Sequence, residues 1–177
     1  METSENDIIE SHAKLLYDHL DKQIELADGK AQLILAASTF MAATAASSLI
    51  GNGLDLFGGT RPVLDIVASI GTLLMTISLL MTVYYALVVT KPTLTFPREN
   101  QALFYFGYIV RHSEEEFIRS FLSQSPEALR ESVLAQIYSK SQIARRKFHG
   151  IRMSLNYLFA TFALWAAVRI ILAFVHQ

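Results

Sequence analysis

The chain has 177 residues, the length of one ordinary domain, yet 52% of them are hydrophobic and only 18% are charged. A small soluble domain needs a more polar surface, so this composition excludes an ordinary soluble globule and points to lipid. A net charge of −1 selects no class of charged partner, and the absence of cysteine excludes disulfides, thiol catalysis and thiolate metal sites.

Residues 1–30 carry eight acids against three bases and have helical periodicity. Ser4 suits the N-cap and Asp7 the first turn, where negative charge is favoured. Ile8, His12, Leu15, Leu16, His19, Leu20 and Ile24 recur every three or four residues and predict the buried stripe. His12 and His19 share one face; packing at a helix interface is the expected role, in preference to a metal site.

Ala31 to Ile50 contains no charged residue, and a helix of that length rises about 30 Å, the thickness of a bilayer's hydrocarbon core. The run follows thirty net-acidic residues, so it is not read as a signal peptide. Ser38, Ala42 and Ala46, with Thr39, Ala43 and Ser47 beside them, form small-xxx-small rows that suit close helix packing and self-association. No proline interrupts the way from the N-terminal helix into this run, so one helix is expected from about Ser4 to Ile50. At the junction stand Asp28, Gly29 and Lys30. Asp28 and Lys30 are two apart, do not face each other on a helix, and each needs a partner elsewhere. Asp28 and Gly29 are read as a coupling joint, and Lys30 as a residue of the interfacial layer.

The Gly-rich segment 51–62 reads as an external turn. It has neither the preceding strand nor the following Lys-Ser/Thr of a phosphate loop. Ile66–Val89 is a second charge-free run, opened by Asp65, and predicts a span over 63–90. Its hydroxyls, Thr72, Thr76, Ser78 and Thr82, are expected to bond to their own helix's carbonyls. The segment 91–150 carries most of the bases. After the loop KPTLTFPREN, Asn100 suits the cap of one helix, Ser113 with Glu114–Glu116 opens another, and Ser125-Pro126-Glu127 starts a third. That last helix is expected to continue unbroken into a span over 151–175. Arg169 lies near its outer end, where pairing with Asp65 in a membrane charge pair is expected, with snorkelling to the outer surface as the alternative.

Thirteen lysines and arginines fall in residues 1–30 and 91–152, and two, Arg61 and Arg169, fall elsewhere. The positive-inside rule then puts the N-terminus inside and the C-terminus outside. The expected fold is an all-α membrane protein. Three transmembrane helices, 31–50, 63–90 and 151–175, carry a small helical cytoplasmic domain formed by the N-terminal helix and the 91–150 segment. The opposite net charges of those two pieces, −5 over 1–30 and +4 over 91–152, should draw them together. No HExxH, Walker loop or GxSxG motif is present, so no enzyme is expected.

The segments ADGKA at 27–31, N-x-ALFYFGYI at 100–109, SEEEFI at 113–118 and QIYSKSQIARRKF at 136–148, in this order around the apolar runs, are together similar to the transmembrane effector family of bacterial Pycsar anti-phage systems. The resemblance covers about residues 20–175. Gly29 and Phe117 depart from it, standing where a bulkier residue and a tyrosine are expected. The resemblance implies activation by a cyclic pyrimidine nucleotide, cUMP or cCMP, made by a neighbouring cyclase. It also implies impairment of the inner membrane and death of the infected cell. No cofactor, metal or nucleic-acid polymer is implied; the partners are the messenger, the lipid bilayer and further copies of the chain. Under that resemblance Lys30, Arg98, Asn100, Tyr105, Arg145 and Arg146 become candidates for the messenger's phosphate and base, with Tyr108 an alternative stacking residue. The competing reading is a non-catalytic accessory subunit that binds a partner protein.

Overall fold

The computed structural model describes residues 2–51, 62–92 and 109–175, with side chains described at 7–47, 63–92 and 109–173. The described residues form helices without strands: α1 (Glu2–Gly51), α2 (Pro62–Thr90), α3 (Glu114–Leu122) and α4 (Pro126–Val175). α1 and α4 each run 50 residues without a break, as the absence of internal proline allows.

α1 begins at Glu2, ahead of the cap expected at Ser4, whereas the starts of α3 and α4 follow the local sequence. The Ser113 hydroxyl accepts from the Glu116 backbone N–H at 3.3 Å, and the Glu116 carboxylate accepts from the Ser113 N–H at 3.1 Å. This reciprocal capping box satisfies donors that the first turn of α3 leaves unpaired. The bond from the Ser113 backbone, with that of its hydroxyl, holds the exposed Glu116 carboxyl below its ordinary pKa. Ser125 accepts from the Ala128 N–H at 3.2 Å, and Pro126 occupies the first position of α4.

The chain divides into two compact units. The first contains Met1–Leu26 and Pro92–Arg146. In its part of α1 the inward-facing positions are Ala13, Tyr17, Leu20 and Ile24. Most of the stripe expected from the sequence is turned away: Ile8, Leu15 and Leu16 are 54%, 69% and 47% exposed, and His12 and His19 are exposed as well. The correction has a simple cause. Ala13, Tyr17, Leu20 and Ile24 continue in the same helix as Ala27, Ala31, Ile34, Ser38 and Met41, all buried, at alternating steps of four and three residues. Within a helix, steps of four and three residues keep such positions on one face. His12 Nδ1 meets the Ile8 carbonyl at 2.7 Å, and His19 Nε2 meets the Gln23 amide at 2.8 Å, so both rings are bonded within α1.

The second unit contains Ala27–Lys91 and Lys147–Gln177. Ala68, Met75, Thr82 and Val89 of α2, and Lys147, Ser154, Thr161 and Val168 of α4, are buried at seven-residue intervals. Such a repeat is the signature of left-handed helix packing. Along α2 and α4 the points of contact run in opposite directions. A Cβ added at Gly71 would lie 2.7 Å from Val168, and one at Gly150 would lie 2.5 Å from Val89, so the two glycines allow close approach. Between them Ser78 donates to the Tyr157 carbonyl at 2.9 Å and Ser154 to the Thr82 carbonyl at 2.7 Å.

The seam of this unit mixes small and hydroxylated residues with a few larger ones such as Ile34, Val89, Ile151 and Leu158, while many other large apolar side chains face outward. Leu33 is 71% exposed, Phe40 67%, Leu80 64% and Phe159 69%. Water would penalise that arrangement, whereas lipid removes the penalty and leaves close packing and hydrogen bonds to hold helices together. Two helices with described side chains are long and apolar enough to cross a membrane: Val63–Thr90, with mean hydropathy 2.1, and Pro126–Ala173, with 1.7. The run at 31–50 ends on residues whose side chains lie outside the described set.

Candidate functional site

In the first unit, α1 and α4 line a half-open cavity of about 550 Å³. Ile9, Ala13, Leu129 and Val133 give it apolar walls; Glu10, Lys14 and Arg130 bring charge, Tyr17 an aromatic ring and Gln136 an amide. The volume falls within the range of small-molecule pockets, and the mixture of apolar wall with a few polar groups is their usual chemistry. Helical spacing produces it: Ile9, Ala13 and Tyr17 are four apart on α1, and Leu129, Val133 and Gln136 are four and three apart on α4. Glu10 and Lys14 are exposed, whereas Gln136 is 7% exposed. The Gln136 Nε2 is buried without a hydrogen-bond partner among the described residues. A buried donor in that condition costs about 1–3 kcal/mol.

Tyr17 is held from the side of α4. The Lys140 ammonium lies 3.3 Å from its ring centroid and 2.5 Å from both carboxylate oxygens of Asp21. Cation–π attraction and the ion pair act on the same nitrogen. In the second unit Lys147 pairs with Asp28, again across 119 residues of sequence. Lys147 is almost wholly buried, its side chain 9% exposed, and Asp28 is its charge partner. Asp28 therefore has the partner its position demanded. Lys30 instead lies 5.8 Å from the Phe148 ring centroid.

The other sequence candidates are distributed differently. Gly29 is exposed in an unbroken stretch of α1, and a Cβ there would meet nothing within 4 Å. Arg145 and Arg146 are exposed on α4, away from the cavity lining. Arg98, Asn100, Tyr105 and Tyr108 lie outside the described residues. Asp65 is buried at 8% exposure while Arg169 is exposed, and the two make no ion pair. Val168 occupies the contact face against Gly71, and one residue further along a helix turns about 100° away, which carries Arg169 off that face. Thr72, Thr76 and Thr82 donate to carbonyls one turn back, at 2.9, 2.9 and 3.0 Å, as expected; Ser78 alone of the four reaches another helix. Ala42, Ala43 and Ala46 are exposed on α1.

The cavity was not legible beforehand. Its residues come from segments more than a hundred positions apart, and their register depends on the continuous seam of α1. The one available signal was Gln136, a polar residue within the apolar cadence of α4.

A family model described as Pycsar effector protein domain matches residues 12–174. No curated protein and no solved structure matches the chain.

Proposed function

Given that the chain belongs to the Pycsar effector protein family of anti-phage defence, we propose that a cyclic pyrimidine nucleotide, cUMP or cCMP, activates it and that the activated protein impairs the bacterial inner membrane, ending the infected cell before phage spread. The observation that carries this reading is the construction of the second unit, with hydroxyls and small residues along the seam and many large apolar side chains outside. A unit built that way belongs in lipid and can act there without catalysis. The effector crosses the membrane three times, with 31–50 as the first span, the N-terminus in the cytoplasm and the C-terminus outside. The thirteen-to-two division of basic residues supports that orientation. Assembly into a homo-oligomer uses the exposed small residues of α1, Thr39, Ala42, Ala43, Ala46 and Ser47, so Ala42→Leu weakens it.

The test is membrane potential in cells expressing the chain, with and without a pyrimidine cyclase. Depolarisation only when both are present is the expected result. Depolarisation without the cyclase, or none with it, would overturn the reading.

A further inference from the structure

We infer that the cavity of the first unit is the binding site of the activating nucleotide, with Gln136 reading the base and the charged side chains taking the phosphate. This deepens the proposed function and rests on it. Three observations converge. The cavity holds about 550 Å³, room for a mononucleotide. Gln136 lines it, and its buried Nε2 has no hydrogen-bond partner among the described residues. Such a donor is commonly completed by another molecule. Lys14 and Arg130 bring positive charge to a lining that also holds Glu10, and a cyclic phosphodiester carries one negative charge.

The chemistry also bears on base choice. Uracil and cytosine share a carbonyl at C2, which accepts a hydrogen bond from an amide N–H; adenine has no such carbonyl. Tyr17 provides an aromatic surface within the same cavity. The site therefore favours cUMP and cCMP over cAMP, and does not by itself separate the first two.

Calorimetry of the full-length protein in detergent, titrated with cUMP, cCMP and cAMP, tests this. Gln136→Leu should weaken pyrimidine binding about tenfold, while the melting temperature without ligand stays level or rises, because the substitution removes an unpaired buried donor. A merely structural glutamine would lower the melting temperature instead. Lys14→Met, at an exposed position, keeps the test open should Gln136→Leu fail to fold. It should weaken binding several-fold and flatten its dependence on salt. If the parent binds a pyrimidine nucleotide and both variants bind it equally well, the cavity assignment falls and the proposed function stands. If the parent binds neither cUMP nor cCMP, both fall. Equal binding of cAMP overturns the role given to Gln136.

Discussion

The same two long helices build both units, and they build them differently. In the first unit the seam between α1 and α4 leaves a cavity whose Gln136 amide nitrogen has no partner among the described residues, and its ion pair, Asp21–Lys140, is half open to solvent, with Asp21 53% exposed. In the second the seam is closed by Ala27, Ala31, Ile34 and Ser38 of α1 with Ile151, Ser154 and Leu158 of α4, and the matching pair, Asp28–Lys147, has its lysine nearly buried. The difference teaches that spacing alone does not set the worth of a contact. Both pairs span the same sequence offset, but only one confines a charge that has nowhere else to go.

The largest expected effect breaks that comparison at its charged point. Asp28→Ala leaves Lys147 buried and unpaired and should cost about 3 kcal/mol, whereas Asp21→Ala should cost less than about 1 kcal/mol. The double variant Asp28→Ala/Lys147→Met should recover most of the loss. Unfolding in detergent–SDS mixtures measures all three, and equal losses for the two single variants would refute the distinction.

Next come the glycines. Gly150→Val should destabilise by about 1–3 kcal/mol, because its side chain runs into Val89 where α2 and α4 approach most closely. Gly29→Ala should stabilise by up to about 1 kcal/mol, since its surroundings are open and the helix is continuous. The same variant probes the joint read at Asp28 and Gly29. A more stable protein that no longer responds to the nucleotide would show that glycine is there for flexibility; unchanged response would remove that role.

The smallest effect belongs to α3. Ser113→Ala should cost about 1 kcal/mol locally, seen as faster amide exchange in Glu114–Leu122. The capping box also has a pH dependence of known sign. Because folding lowers the Glu116 pKa, its contribution is present above the ordinary value of 4.5 and is lost as pH falls through the lowered folded value. Protection of the α3 amides, measured relative to their intrinsic exchange rate at each pH, should fall on acidification in the parent and change less in Ser113→Ala.

These comparisons also show why some features could be read in advance. Capping is local, so Ser113, Ser125 and Pro126 announced their helices. Charge-free runs and missing prolines announced long unbroken helices. Rotation is not local. The apolar residues Ile8, Leu15 and Leu16 suggested one face of α1, but the buried face follows the smaller residues that continue into Ala27 and Ala31. Asp65 and Arg169 make no ion pair in the structure for the same reason: their angular position on the two helices was not legible. The cavity needed both rotation and register, and neither is written in any single segment.

The hydroxyl bonds between α2 and α4 have a spectroscopic consequence. The Tyr157 carbonyl accepts from Ser78 at 2.9 Å and from Thr161 at 2.9 Å, in addition to the amide four residues on in its own helix. The Thr82 carbonyl likewise receives Ser154. Each extra donor lowers a carbonyl's stretching frequency, so a carbon-13 label at Tyr157 would vibrate apart from the bulk helical band. Those two labelled positions turn the spacing of the helices into an infrared signal. If activation draws α2 from α4, the bands move back toward the ordinary helix position in the time the helices take to part.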